Sequence, residues 1–447
     1  MNYKNEIQCD FTNMLSDNFS DKQFGISQQE IEKMKSKAKE AYEEVIINSC
    51  PEAQAYFDLV NNPKDLNEMQ KFAEEVAEKF DNFVVLGIGG SALGARALFA
   101  SLTNIHYNRM EKQRRKRPRL FIRDSIDPDK FEGLLEILDS SKTMFCVVTK
   151  SGSTLETMVQ MSIVQEELKK KIGENYYDHF CVITSLPDTP LHKWVLKHNV
   201  KTFYFTQSLS GRFSVFSQVG LLPAAIVGID IHKILNGAKY MLERCSNPDL
   251  KNNPALYGAV LQKIAMNKGI NISFLMPYAD NLRVVADWYC QLWAESLGKT
   301  VNTRGGKCYL GQTPVRAFGT VDQHSQMQLC LEGPYDKVIT FIRVLKFDRD
   351  TIIPKLDDGL LSDYISGRKM SDILISAQKA TQQALLECNH MNRTIIIPKV
   401  DEFAIGELLM YFMLETSFTG ALLGINAYNQ PSVELIKQNI KKLLSKK

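Results

Sequence analysis

The sequence predicts an α/β protein: two doubly wound domains with mainly parallel sheets, flanked by N- and C-terminal helical segments. Three observations carry this. A strand, a glycine turn and a helix follow one another in FVVLGIGGSALGARALF, Phe83 to Phe99. The same order returns in MFCVVTKSGSTLETMV, Met144 to Val159. Around both, short apolar runs alternate with segments of helical period, the pattern of a parallel sheet covered on both faces.

Along the chain, residues 1–25 read as irregular, and Ile26–Ile47, rich in Glu, Lys and Ala, as a surface helix introduced by Ser27. Phe72, Val76 and Phe80 recur every fourth residue, an amphipathic helix that delivers the chain into the strand at Phe83. Gly87, Gly89 and Gly90 let the backbone turn, and Ser91 stands where a helix begins. The basic run Arg109–Arg119 lacks interleaved aromatics and reads as a solvated loop, not a nucleic-acid patch. Strands are expected at Leu120–Ile122, Met144–Val148, Phe180–Ile183 and Thr202–Phe205. The apolar segment Val215–Ile231 reads as one long buried helix entered from Gly211-Arg212-Phe213-Ser214. Ser246–Pro254 is polar, proline-bearing and aperiodic, which divides the chain into 1–60, 61–245 and 255–447. Beyond it the wiring begins again: helix Leu256–Lys268, strand Ile272–Met276, helix Leu282–Leu297, then strands at Lys337–Phe347 and Thr394–Ile397. A final helix is expected from Pro431, with Gln430 as its cap.

The 447 residues, 44% hydrophobic and 23% charged, suffice for two packed cores. A net charge of +3 gives no general attraction to nucleic acid or membrane. The nine cysteines are scattered singly without a CxxC pair, which predicts reduced thiols in a cytoplasmic protein, not a disulfide framework or zinc site. MNYKNEIQCDF has no apolar core of the kind a secretory signal needs, and the run Leu408–Leu414 is far shorter than the roughly 20 residues that span a bilayer.

A strand feeding a glycine-rich turn and a helix N-terminus makes an anion site, because unpaired N–H groups and the helix dipole converge there. The second such loop adds Thr149, Lys150, Ser151, Ser153 and Thr154, more hydroxyls than one helix cap uses. Two such loops on neighbouring strands imply one phosphorylated small molecule between them. The rival is a dinucleotide: Gly87-x-Gly89-x-x-Ala92 satisfies the glycine fingerprint and Asp124 follows a second strand, so a Rossmann-type oxidoreductase stays open here. Further along, Arg212 lies between a glycine and a helix start. Gln291 and Glu295 share one helix face four residues apart, in a largely apolar stretch that allows partial burial. His324 stands in GTVDQHSQMQL, and Lys437 lies two turns beyond Gln430 on the side of Glu434.

In order, GIGGS, TKSGSTLET, GRFSVFS, QLWAESLGK, GTVDQHSQ and YNQPSVELIK resemble the glucose-6-phosphate isomerase family over Phe83 to Lys437. GRFSVFS and YNQPSVELIK match its two signature regions and are the specific ones. The resemblance implies two sugar-isomerase-type domains and a homodimeric aldose–ketose isomerase without cofactor or metal. In that family the positions matching Ser91, Thr149, Ser151 and Thr154, with Lys150 alongside, hold the phosphate. The position of Glu295 moves a proton between C2 and C1, and that of Arg212 steadies the enediolate. His324, supplied by the neighbouring subunit, and Lys437 match the ring-opening residues; Gly90, Gly211, Gln291 and Gln430 match other substrate-binding positions. Ser210 and Ser432 stand where glycine is common, and Thr149 where serine is usual; these are small or hydroxyl-keeping changes. A non-catalytic sugar-phosphate-binding regulator would keep the loops without needing Glu295, His324 and Lys437.

Overall fold

The computed structural model describes residues 6–185, 188–356 and 359–445. Its strands are β1 (Gln8–Asp10), β2 (Asn82–Leu86), β3 (Arg119–Arg123), β4 (Thr143–Val148), β5 (Phe180–Thr184), β6 (Lys201–Tyr204), β7 (Ile272–Pro277), β8 (Lys299–Val301), β9 (Lys307–Leu310), β10 (Thr313–Arg316), β11 (Lys337–Lys346) and β12 (Asn392–Lys399). One sheet has the order β3-β2-β4-β5-β6, with every pairing parallel. A second has the order β1-β12-β11-β7-β10, parallel except for β1 on its edge. β8 and β9 form a separate small hairpin.

Period-two alternation explains how the sheets pack. Phe83 and Val85 of β2 join one large core, while Val84 and Leu86 join a smaller cluster on the other face. In the second sheet Leu275, Val338 and Ile342 enter the same large core, and Phe274, Ile339 and Phe341 line an outer cluster. The large core therefore fills the space between the sheets, with side chains from both sides of the Ser246–Pro254 link. At its centre runs the helix Glu402–Leu423, buried along nearly its whole length. The apolar run Leu408–Leu414 belongs to it: a helix buried on all sides is apolar all round.

The expected elements recur with five differences. Residues 1–25, read as irregular, contain β1, which pairs Gln8 with Ile396 and Asp10 with Thr394; the first five residues lie outside the described chain. Ser27 caps the helix Gln28–Tyr42 through a reciprocal bond with Glu30, as read, and a π-helical turn, Glu43–Ile47, continues it. The single helix expected over Val215–Ile231 is shorter, Gln218–Ile226: Ser217 caps it, Gly228 breaks it at φ +83°, and Asp230 caps a new helix, Ile231–Cys245. The last helix starts at Val433, with Ser432 at its cap position, so Gln430 is not its cap. Among the described residues no helix is long and apolar enough to cross a membrane. The basic run Arg109–Arg119, read as a loop, is mostly exposed but holds one helical turn, Lys112–Arg115, and is tied down by Lys112 to Asp81 and Arg117 to Glu74.

Glu407 inside the central helix gives the fold a pH dependence. One oxygen accepts the Ile7 N–H at 3.2 Å; the other is buried without a partner among the described residues. Burial pushes its carboxyl up to about 8, with Glu6 and Asp401 adding to the effect and the Ile7 bond and Arg244 opposing it. A raised folded pKa means the native state holds a proton that the unfolded chain releases near pH 4.5. The contribution is complete below that pH and is lost as pH rises through about 8. Glu407→Gln, neutral throughout, is expected to melt several degrees above the wild type at pH 8 and level with it at pH 5. Equal melting at both pH values would refute this.

Candidate active site

From β2 the chain crosses to β3 on one side, and β4 then pairs on the other, so the strand order reverses between β2 and β4. In an open parallel sheet the crevice beyond the C-terminal ends at such a point is where ligands bind. Both expected anion loops stand there. After β2, Gly89 takes φ +56°. A Cβ on Gly90 would lie 2.2 Å from the Gly211 carbonyl carbon, so glycine is required for the two turns to touch. No side chain caps the helix Gly90–Leu102, and the Ser91 hydroxyl has no hydrogen-bond partner among the described residues.

After β4, Thr149 is buried and its hydroxyl meets that of Thr154 at 2.9 Å. Ser151 Oγ accepts from the Ser153 N–H and hydroxyl at 3.3 and 3.1 Å. Gly152, at φ +63°, passes so close to Thr189 that a Cβ would sit 2.5 Å from its hydroxyl oxygen. Thr154 stands at the cap of the helix Leu155–Ile172 without capping it, because its hydroxyl faces Thr149. Lys150 donates to the Leu209 carbonyl at 3.0 Å, and burial pushes its ammonium pKa down. Two uncapped helix N-termini thus border one crevice, suited to an anion. Asp124, the acid a dinucleotide ribose would need, is instead committed to Arg96 at 2.5 Å.

The turn Gly211–Phe213 carries Arg212 into the core, where it is only 2% exposed. Its Nε donates to Ser296 Oγ at 2.7 Å, and Nη2 donates to the carbonyls of Ala427 and Asn429 at 2.6 and 3.2 Å. Nη1 donates to Glu295 Oε2 at 3.3 Å and to Gln430 Oε1. Burial pushes its pKa down to about 10 against the opposing pull of Glu295, so it stays a cation at neutral pH. Glu295 is half-buried near the end of the helix Arg283–Leu297, and its Oε1 accepts from Gln291 Nε2 at 2.9 Å. Gln291 reaches the first loop: its Nε2 lies 3.0 Å from where a Cβ on Gly89 would be. Gln430 reaches Arg212 because its residue precedes the last helix instead of capping it.

Gly90, Gly211, Arg212, Gln291, Glu295 and Gln430 therefore meet, beside a cavity of about 420 Å³ lined in part by Glu295, Lys299, Asn426, Asn429 and Gln430. Ser296, Ala427, Asn429 and Lys299 were not singled out from sequence. For Lys299 a signal existed, a cation just past a helix C-terminus; for main-chain carbonyls there was none.

His324 and Lys437 are not brought to this cluster. His324 is exposed in the turn Val321–His324, beside Gln323, which donates to Thr381 and to the Ala377 carbonyl. That segment meets the start of the Arg283–Leu297 helix, where Arg283 covers the Phe318 ring at 4.9 Å. Glu295 lies near its other end, roughly 18 Å away at about 1.5 Å per residue. Lys437 is exposed and donates to Glu434 at 2.6 Å, on the helix Val433–Leu444, none of whose residues is buried.

A family model described as phosphoglucose isomerase matches residues 30–447. The chain is 42% identical to glucose-6-phosphate isomerase of Carboxydothermus hydrogenoformans over 381 residues, 85% of this chain and 82% of that one. It is 34% identical to a probable glucose-6-phosphate isomerase of Methanococcus maripaludis, covering 97% and 93% of the two. Among solved structures, a hypothetical protein of Thermus thermophilus matches with a TM-score of 0.87 at 30% identity, over 98% of this chain and 99% of that one. A glucose-6-phosphate isomerase of Chlamydia trachomatis shares the fold, with a TM-score of 0.75 at 23% identity over 92% and 78% of the two chains.

Proposed function

The chain belongs to the phosphoglucose isomerase family, and from that premise we propose that it interconverts glucose 6-phosphate and fructose 6-phosphate in glycolysis and gluconeogenesis, through an enediolate. The observation that carries this reading is the Arg212 guanidinium, held on three sides by Ser296, Ala427 and Asn429 and turned toward the Glu295 carboxylate.

The chemistry needs three things. The hydroxyls of Ser91, Thr149, Ser151 and Thr154, with Lys150, anchor the phosphate, so that binding energy remote from the reacting carbons orients the sugar. Glu295 takes the proton from C2 and returns it to C1. Arg212 stabilises the oxyanion that develops; it cannot act as an acid at neutral pH and its buried position keeps the charge fixed. Gly90, Gly211, Gln291 and Gln430 complete the walls. Neither metal nor redox cofactor enters this scheme. The test is direct: purified protein given fructose 6-phosphate without added metal should form glucose 6-phosphate. Binding of a sugar phosphate without turnover would instead indicate a regulator, and binding of NAD an oxidoreductase.

Phosphate affinity should reside in the paired loops. The double variant Ser151→Ala, Thr154→Ala is expected to raise KM more than about tenfold, since each charge-assisted hydrogen bond lost costs roughly 1.5–3 kcal/mol. An unchanged KM would remove these loops from the site.

Ring opening is assigned, on the family resemblance, to His324 and to Lys437, whose exposed helix starts at the cavity edge at Val433 and would have to shift for Lys437 to reach the sugar. In a single chain His324 is remote from Glu295, which supports a homodimer in which each site takes its histidine from the partner. Mixing inactive His324→Ala and Glu295→Gln chains and refolding them together is expected to restore activity, because a hybrid dimer holds one intact site. Hybrids that form and stay inactive would end this idea. A cytoplasmic location accords with the unpaired cysteines.

A further inference from the structure

Lys299 has no part in the scheme above, yet it is 8% exposed, bonds the Glu295 main chain and feels the charges of both Glu295 and Arg212. The helix carrying Glu295 ends abruptly. The Gly298 N–H closes onto the Ala294 carbonyl, and one residue further the backbone has left helical geometry for β8. The Glu295 carbonyl thereby loses the backbone donor that the next turn would have supplied. Lys299 replaces it with its own side chain: Nζ donates to the Glu295 carbonyl at 2.5 Å. A cation at this negative end of the helix is favoured by the dipole as well. The same last turn holds Ser296, whose hydroxyl takes the Arg212 Nε. One ammonium thus fastens the turn from which the base projects and on which the arginine rests.

We propose that Lys299 is a positioning residue for the isomerisation, clipping the end of the Arg283–Leu297 helix so that Glu295 and Arg212 keep one mutual orientation.

This rests on the reading of Glu295 as the base. The charged groups felt by Lys299 are Arg212, from the Gly211–Phe213 turn, and Glu295 on the preceding helix. β9 presents Cys308, which bonds the Lys299 carbonyl, and Lys307, opposite Val301; residues 426–432 contribute the neutral Asn426, Asn429, Gln430 and Ser432. Burial, reinforced by Arg212 and opposed by Glu295, pushes the ammonium pKa down to about 8. The clip is therefore charged below that pH and weakens above it, since a neutral amine makes a hydrogen bond of about half the strength.

The experiment compares wild type, Lys299→Met and Lys299→Arg by kcat, KM and the pH profile of kcat/KM, with Glu295→Gln run alongside. Lys299→Met should lose about 10²-fold in kcat, the effect of a small misplacement of reacting groups, with KM nearly unchanged. The wild type should show an alkaline fall of kcat/KM near pH 8; Lys299→Arg should recover most of kcat and move that fall well to the alkaline side. If Lys299→Met does not fold, the arginine profile alone decides. Wild-type turnover by Lys299→Met, an arginine variant as impaired as the methionine one, or an alkaline limb unmoved by arginine overturns the proposal. Solvent-deuterium exchange by Glu295→Gln would instead overturn the base assignment, so the two failures are distinguishable.

Discussion

Glu295→Gln is expected to fold normally and bind sugar phosphate as the wild type does, and to lose about 10²–10⁴-fold in turnover. The prediction follows from what glutamine keeps and what it lacks. Its amide has nearly the shape of the carboxylate, and its oxygen can still accept from Gln291 Nε2 or Arg212 Nη1, so the wall of the cavity is preserved. It cannot take a proton from carbon. In deuterated water the wild type should place deuterium on C2 of glucose 6-phosphate and C1 of fructose 6-phosphate, while the variant incorporates almost none. Ring opening, assigned to other groups, should continue, and anomer interconversion by the variant would demonstrate it. Near-normal deuterium incorporation would mean that another group is the base.

That Glu295 and Gln291 could be paired from sequence reflects where they sit on one helix. Gln291 and Glu295 share a helix face, and a four-residue spacing on a helix converts directly into a contact. The two anion loops were legible for a similar reason: each is a local strand–turn–helix, and glycine and hydroxyl residues announce it. The parallel pairing of β2 with β4 followed from alternation of strands and helices. Arg212 is a different case. Its turn could be read, but its partners Ser296, Ala427 and Asn429 arrive from distant parts of the chain, two of them through main-chain carbonyls that leave no mark on residue identity. β1 was missed because three residues on a sheet edge, half exposed, carry too little periodicity to stand out. The Val215–Ile231 segment misled because apolarity reports burial and not continuity; Gly228 and Asp230 were the punctuation that outweighed it.

The other large effect concerns stability, and lies in the helix that supports the site from behind. Arg393 of β12 and Glu415 of the Glu402–Leu423 helix form an ion pair whose side chains are 1% and 0% exposed. Arg393 Nη2 donates to Glu415 Oε2 at 3.0 Å, its Nη1 to Oε1, and its Nε to Thr340 of β11 at 2.8 Å. Gly258 makes room for them: a Cβ there would come 2.5 Å from Glu415 Oε1 and 3.0 Å from Arg393 Nη1. The pair ties the central helix to two strands of the second sheet, and that helix leads directly to Ala427 and Asn429, whose carbonyls hold Arg212. Glu415→Leu leaves an unpaired guanidinium in the core, and removing one partner of a buried pair costs about 3–5 kcal/mol. The double variant Arg393→Met, Glu415→Leu removes both charges and is expected to recover most of that loss, because two apolar side chains of similar size need no desolvation to be offset. Chemical denaturation of the single and double variants measures both. A Glu415→Leu protein within about 1 kcal/mol of wild type would mean that the core relaxes to admit water to Arg393, and that the pair is not what holds this helix to the sheet.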